Sequence, residues 1–228
     1  IIGTQETSAY ANLKNYDHLL VDMHHLIFRA YFAVNLKNQS GEPTQVYHLV
    51  LKMLYEIILD LSPKGILLCW DSASSWRKSI SATYKANRTR RDPTFFIPFR
   101  RLYWLCDKLG FEQVMSTGFE ADDWIAYTCA KSKNSLLILS GDRDLFQLIN
   151  DKKKHHVAYP NKARGCDVID EARAAEVFYA PADIVSIKAI AGDTSDNIKG
   201  VPRVGDKTAY KLVSALGDVN EWLFKDYH

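Results

Sequence analysis

Residues suited to both metal and phosphate chemistry meet in one stretch, Ile190 to Ala209. Its first half puts two carboxylates, Asp193 and Asp196, on a tight polar turn. Its second half, Gly200-Val-Pro-Arg-Val-Gly-Asp-Lys207, joins a Gly/Pro hairpin to a helix start. Acids on one turn can hold a hard cation, and backbone N–H groups beside an ammonium can hold a phosphate. The pairing points to phosphodiester cleavage, which needs more acids than two. Asp22 and Asp71 each close a short apolar run. Glu120, Asp122 and Asp123 open a helical segment, near its positive end. Asp142 and Asp144 follow a third apolar run. Such acids repel one another unless cations neutralise them. Oxygen donors without His or Cys suit Mg²⁺ or Mn²⁺. Two such ions about 4 Å apart can generate hydroxide and support in-line displacement at phosphorus. Singly, each acid has an ordinary explanation as a cap or turn residue. Three apolar strands that all end in acid are not covered by those explanations.

The surrounding pattern must bring these acids together. Apolar runs at 18–22, 65–71 and 135–140 lack period-2 alternation and read as buried strands. Helical spacing is expected over 24–33, 44–61, 99–109, 120–130, 170–178, 182–191 and 207–216, and briefly from Asp218. Thr44 is placed to cap the second helix, and Ser62-Pro63 ends it. A short strand is expected at 112–115, and a small antiparallel pair at 155–159 and 166–169. Alternating strands and helices predict an α/β fold with a mostly parallel sheet covered on both faces. Ligands gather at the carboxyl ends of strands in such sheets.

A formal net charge of +2 looks low for a nucleic-acid binder. Setting the nine clustered acids aside leaves 18 acids against 29 bases. An acidic pocket in a basic surround fits a metal-dependent nuclease. Ser72 to Pro98 interleaves Arg77, Lys78, Lys85, Arg88, Arg90 and Arg91 with Trp76, Tyr84, Phe95 and Phe96. Tyr84-Lys85-Ala-Asn-Arg88 suits stacking on a base while gripping a phosphate, although a solvated charged loop also explains a basic run. Lys152 to Lys154 read as solvated loop, His24 and His25 as helix-surface or packing residues, and Trp70 and Trp76 as packing. Four widely spaced cysteines without C-x-x-C fit free thiols in a reducing, cytoplasmic compartment, an organelle included. No apolar run reaches the roughly 18 residues that span a bilayer. The chain begins at Ile1, so the native start is expected upstream.

Six ordered pieces carry a family resemblance: Phe28-Arg-Ala-Tyr31, Trp70-Asp71, Tyr84-Lys-Ala-Asn-Arg88, Gly118-Phe-Glu-Ala-Asp-Asp123, Ser140-Gly-Asp-Arg-Asp-Leu145, and Gly192-Asp-Thr-Ser-Asp-Asn-Ile198 with its hairpin. The sequence resembles the 5′-nuclease (flap endonuclease) superfamily, in the bacterial and phage 5′–3′ exonuclease branch that includes the N-terminal domain of bacterial DNA polymerase I. The resemblance implies a PIN-like nuclease core over 1–180, with a helical arch at about 84–110. It implies a helix–three-turn–helix element over 181–228, cut short at its C-terminal end. It further implies a monomer in solution that hydrolyses DNA at 5′ ends and flaps in replication or repair.

Carried residue by residue, the resemblance gives Asp22, Asp71, Glu120 and Asp122 to a first Mg²⁺ or Mn²⁺ ion. Asp142, Asp144, Asp193 and Asp196 go to a second, with Asp123 nearby. Lys85, helped by Arg88, resembles the lysine that stabilises charge on the scissile phosphate. Tyr84 corresponds to a stacking platform, Arg29 to a phosphate contact, and Arg90 and Arg91 to arch cations. Gly200, Arg203, Gly205 and Lys207 would hold the duplex backbone, with K⁺ at that hairpin. Met23 stands where the family usually has Gly, and is expected to crowd the backbone near Asp22. Arg203 also replaces Gly, where positive φ costs more. Two alternatives stay open: a 5′ nuclease that removes RNA primers from RNA–DNA hybrids, and a non-catalytic DNA-junction binder.

Overall fold

Leu19, Leu20 and Val21 are all buried because their strand has helices on both faces. The computed structural model describes residues 15–224 except 35, 42–43, 90 and 162–164, and side chains only as far as residue 222. Strand β1 (His18–Asp22) runs directly into α1 (Met23–Ala33), and α2 (Gln45–Leu61) leads to β2 (Gly65–Cys69). A single turn, α3 (Arg77–Ile80), precedes a 3₁₀ turn at Pro93–Phe96 and α4 (Ile97–Lys108). Then come β3 (Glu112–Val114), α5 (Ala121–Lys131), β4 (Leu136–Leu139), β5 (His155–Pro160) and β6 (Cys166–Ile169). The chain closes with α6 (Glu171–Val177), α7 (Ile184–Ala191), a hairpin of β7 (Gly192–Asp193) and β8 (Ile198–Lys199), α8 (Asp206–Leu216) and α9 (Val219–Phe224).

The main sheet has the order β3-β2-β1-β4-β5-β6. All its pairings are parallel except β5 with β6. Leu19 and Val21 join Leu137 and Leu139 in one core, under α1, α2 and α4. Leu20 joins Leu136 and Ile138 in the other, under α5. Alternation therefore selects the layer and not polarity, which explains the continuous apolar runs. The chain moves from β1 toward β2 and β3, then returns to place β4 on the other flank of β1. That reversal is a topological switch point, where α/β sheets open a crevice at the carboxyl ends of their strands. Among the described residues no helix is long and apolar enough to cross a membrane.

Several expectations need correction. Thr44 makes no side-chain cap bond; Ser62, in the left-handed region, ends α2 as expected. Met23 does not crowd the site: it is wholly buried as the first residue of α1, while Asp22 caps that helix. The arch is shorter than 84–110, because Phe99, Leu102 and Cys106 of α4 are buried in the core. Trp70 is core, but Trp76 is 43% exposed.

The terminal unit packs α7 on α8 around Ile187, Ile190, Ala209 and Val213. Its hairpin depends on two glycines. Gly192 has φ +81, and a Cβ on Gly200 would lie 2.2 Å from the backbone of Ala191. No backbone atom can yield as a flexible side chain does. Gly200→Ala is therefore expected to cost about 2 kcal/mol or more, within the range for forced backbone clashes. Thermal unfolding measures this, and an unchanged melting temperature would contradict the close contact.

Candidate active site

Three acids meet at the switch point because their strands are adjacent in the order β2-β1-β4. Asp22 is the last residue of β1 and is only 6% exposed. Its Oδ1 accepts the His25 N–H at 3.0 Å and its Oδ2 accepts the Ser140 hydroxyl at 2.8 Å. Asp71 follows β2 and accepts the Ala121 N–H at 2.7 Å, which ties it to the start of α5. Asp142 follows β4 and accepts the Asp144 N–H at 2.8 Å. Asp122, in the first turn of α5, faces the same three acids electrostatically.

Burial, then repulsion from Asp71 and Asp142, pushes the Asp22 carboxyl up to about 7. Asp122 rises well above the usual range, first through burial and then through Asp22, Asp142 and Asp71. Among the described residues none of these four acids forms an ion pair with Lys or Arg; Asp71 has only the His24 imidazole, at 3.9 Å.

The other five acids are held by side-chain cations. Lys85 Nζ lies 2.9 Å from Glu120 and 3.9 Å from Asp196. Arg88 reaches Asp196 at 2.7 Å. Burial would raise Glu120, but Lys85, Tyr84 and Arg77 outweigh it and hold its carboxyl low. Arg77 grips both oxygens of Asp123 at 2.8 and 3.0 Å, so Asp123 anchors the start of α5. Lys188 bridges Asp144 at 2.5 Å and Asp193 at 2.7 Å. Among the described residues no group of three or more His, Cys, Asp or Glu forms a metal site. Repulsion opposes closure of the first four acids, and these cations draw the other five to themselves.

The basic tract departs from the sequence reading. Tyr84 is 4% exposed and its hydroxyl lies 3.0 Å from Glu120 and 3.1 Å from Asp196, so its polar end is taken up within the fold. Arg29 donates to the Asn161 carbonyl at 2.6 Å, a contact within the fold. The Arg91 guanidinium lies over Phe28, Phe32 and Phe95, bracing the arch base. Arg90 lies outside the described residues. His24 packs between Trp70 and Phe99, and His25 fills the space a side chain at Gly141 would need. Arg203 does take positive φ, +68°, in the loop before α8.

Lys85 is also left-handed, at φ +53, and its N–H donates to the Asp196 carbonyl at 2.9 Å. Two further bonds fasten its loop to the 192–197 turn: Asn87 to the Thr194 carbonyl at 2.7 Å, and Asn197 to the Thr83 carbonyl at 2.8 Å. Strain outside glycine, held by surrounding bonds, is common where a side chain must be aimed. Sequence reasoning missed Lys188 and both asparagines. The one available signal was Lys188 five residues before Asp193, near the end of α7.

Two family models cover nearly the whole chain: "5′-3′ exonuclease, N-terminal resolvase-like domain" over residues 17–179 and "5′-3′ exonuclease, C-terminal SAM fold" over 179–225. The chain belongs to the 5′–3′ exonuclease family. It is a 5′ nuclease, an enzyme that hydrolyses phosphodiester bonds. The 5′–3′ exonuclease of Bacillus subtilis is 36% identical over 225 residues, 92% of this chain and 74% of that protein. DNA polymerase I of Synechocystis is 33% identical over 212 residues, 86% of this chain but 22% of that protein. Among solved structures, T5 5′-exonuclease with bound divalent metal ions (zinc) superposes with a TM-score of 0.74 at 25% identity, over 90% of this chain and 77% of that one. Flap endonuclease-1 from Methanococcus jannaschii shares the fold, with a TM-score of 0.63 at 16% identity, over 96% of this chain and 76% of that one.

The two acids on Lys188 respond differently. Burial raises Asp144 despite the lysine. Asp193 has Lys188 and Ser195 as well, and these overcome burial to hold it at about 2 against an ordinary 3.8. A lowered folded-state value contributes stability that is complete above about pH 4 and lost as pH falls toward 2. Lys188→Met is expected to flatten that acid limb in thermal melts of the metal-free protein. An unchanged limb would contradict the bridge.

Proposed function

We propose that this 5′ nuclease is magnesium-dependent, with Mn²⁺ able to substitute, and that it cuts DNA at 5′ ends and flaps in replication or repair. The supporting observation is the imbalance between the two sets of acids. Asp22, Asp71, Asp122 and Asp142 repel one another and, among the described residues, form no ion pair with Lys or Arg; divalent ions would relieve that repulsion. An all-oxygen donor set suits a hard ion over a soft one. Ions held there supply Lewis-acid activation of water and charge neutralisation at the phosphate. Glu120 would join the first ion, and Asp196 the second, when Lys85 and Arg88 turn to substrate; Asp144 and Asp193 would join the second when Lys188 turns away. T5 5′-exonuclease holds divalent ions, and a T5 flap endonuclease variant has been captured with DNA and metal ions. Both accord with this reading.

The chain's own residues perform the remaining tasks. Lys85 sits between two acids on a strained, tethered loop, so its ammonium is aimed before substrate arrives. Pre-aimed charge stabilises a phosphorane-like transition state without reorganisation. Arg88, more exposed than Lys85, adds a second cation on the same side. Gly200, Arg203 and Gly205 lie on the loop that enters α8, and Lys207 in its first turn, where backbone N–H groups and cations would grip a duplex phosphate and K⁺ would share the loop. Because this loop follows Asp193 and Asp196 directly, the grip on the duplex sets the distance to the cut.

The test is a Mg²⁺ titration of cleavage on labelled flaps with DNA or RNA 5′ arms. Losing an outer partner of a metal ligand already costs roughly 10–100-fold. Asp142→Asn is thus expected to slow single-turnover cleavage about a hundredfold or more while flap binding persists. Faster cutting of the DNA arm is expected. Full turnover by Asp142→Asn would overturn the metal assignment.

A further inference from the structure

The catalytic acids stand at one end of α5, and a cluster of lysines with no part in the chemistry stands at the other. Glu120, Asp122 and Asp123 surround the start of the helix, and Lys131 closes its last turn. Its 11 residues separate the two ends by about 16 Å. Lys133 follows on the turn into β4, and Lys152 and Lys153 lie on a 3₁₀ turn before β5. All four lysines are exposed. The two turns are pinned side by side. The Leu136 N–H donates to the Lys154 carbonyl at 3.0 Å, and His155 Nε2 lies 3.1 Å from the Asn134 carbonyl. Asn150 caps the second turn by accepting the Lys153 N–H at 3.0 Å. Lys154 itself turns inward, at φ +53, with its ammonium over the Tyr16 ring and bonded to the Asn15 carbonyl, so the solvated-loop reading holds only for its two neighbours. Asp151, the acid of this tract, is also drawn inward: it lies 2.9 Å from His156 Nε2 and accepts the Glu171 N–H at 3.2 Å. Among the described residues, Lys131, Lys133, Lys152 and Lys153 form no ion pair. The negative end of α5 accounts for Lys131 and not for the other three.

A duplex seated on the acids reaches this end only by bending sharply, which is costly over so short a length. The cluster also lacks what suits nucleic acid in the tract from Ser72 to Pro98. It is built of ammonium groups, with no guanidinium fork for phosphate and no run of rings for bases. Ammonium groups on flexible stems suit carboxylates spaced along an extended chain. Tyr127, 58% exposed and 5.9 Å from the Lys131 ammonium, adds an apolar contact beside them. We propose that this end of the molecule docks an extended acidic segment of another protein, one that carries an apolar side chain for Tyr127. Complementary charge of this kind speeds and orients encounter. A partner docked there leaves the acids and the loop before α8 open, so protein and DNA are bound together.

The probe is a short labelled peptide of glutamates and phenylalanines, with a glutamine counterpart as control. Anisotropy follows its binding to the whole chain saturated with unlabelled flap DNA in EDTA, which keeps the duplex loop occupied. The acidic peptide is expected to bind and the glutamine peptide to bind far more weakly. Exposed charge pairs are individually modest, so the double variants Lys131→Gln/Lys133→Gln and Lys152→Gln/Lys153→Gln should each weaken the peptide about threefold or more. Flap cleavage with Mg²⁺ should stay within about twofold of wild type in both, and melting temperatures follow folding. No binding of the acidic peptide, unchanged binding in both variants, or displacement of the peptide by flap DNA would overturn the proposal. A loss of flap binding equal to the loss of peptide binding would assign the lysines to nucleic acid and overturn it too.

Discussion

Like charge confined at the carboxyl ends of three adjacent parallel strands is the constraint on which the rest of this structure depends. Parallel pairing of β2, β1 and β4 fixes where Asp22, Asp71 and Asp142 stand, and α5 adds Asp122. Folding cannot disperse them without breaking the sheet. The protein therefore compensates around them. Arg77 takes Asp123, Lys85 and Arg88 take Glu120 and Asp196, and Lys188 takes Asp144 and Asp193. What remains is a pocket in which burial and mutual repulsion push Asp22 and Asp122 upward.

The same cations connect the pocket to the rest of the molecule. The loop of Lys85 is bonded through Asn87, Asn197 and its own backbone to the 192–197 turn. That turn continues through β8 into the loop before α8. The loop before α8 is thereby linked through these bonds to the ammonium beside the acids. The two family models meet at residue 179, before α7, so these bonds join the two matched regions.

Most of the fold was legible because its signals are local. Apolar runs, helical spacing and turn residues located nearly every element within a few residues. The acids were legible because three ended apolar strands and two shared a turn. Harder to read were partners distant in sequence. Tyr84 looked like an exposed ring because its neighbours are cations, yet its hydroxyl meets Glu120 and Asp196, far along the chain. Arg91, expected only as an arch cation, covers three phenyl rings. Lys188 carried no motif, and its role appears only once α7 is packed beneath the hairpin. The arch was overestimated for a related reason: helical spacing predicts α4 but cannot tell which layer buries it.

The central claim is that four uncompensated acids hold the metal, and proton release tests it most directly. Calorimetric titration of Mg²⁺ into the metal-free protein, in buffers of different ionisation enthalpy, counts protons displaced per ion. Asp22, pushed up to about 7, is protonated in part at neutral pH and must lose that proton to act as a ligand. The account predicts net proton release on Mg²⁺ binding near or below pH 7, with affinity that rises as pH climbs through about 7 and release that fades above it. Binding with no proton release and with affinity independent of pH over that range would contradict it.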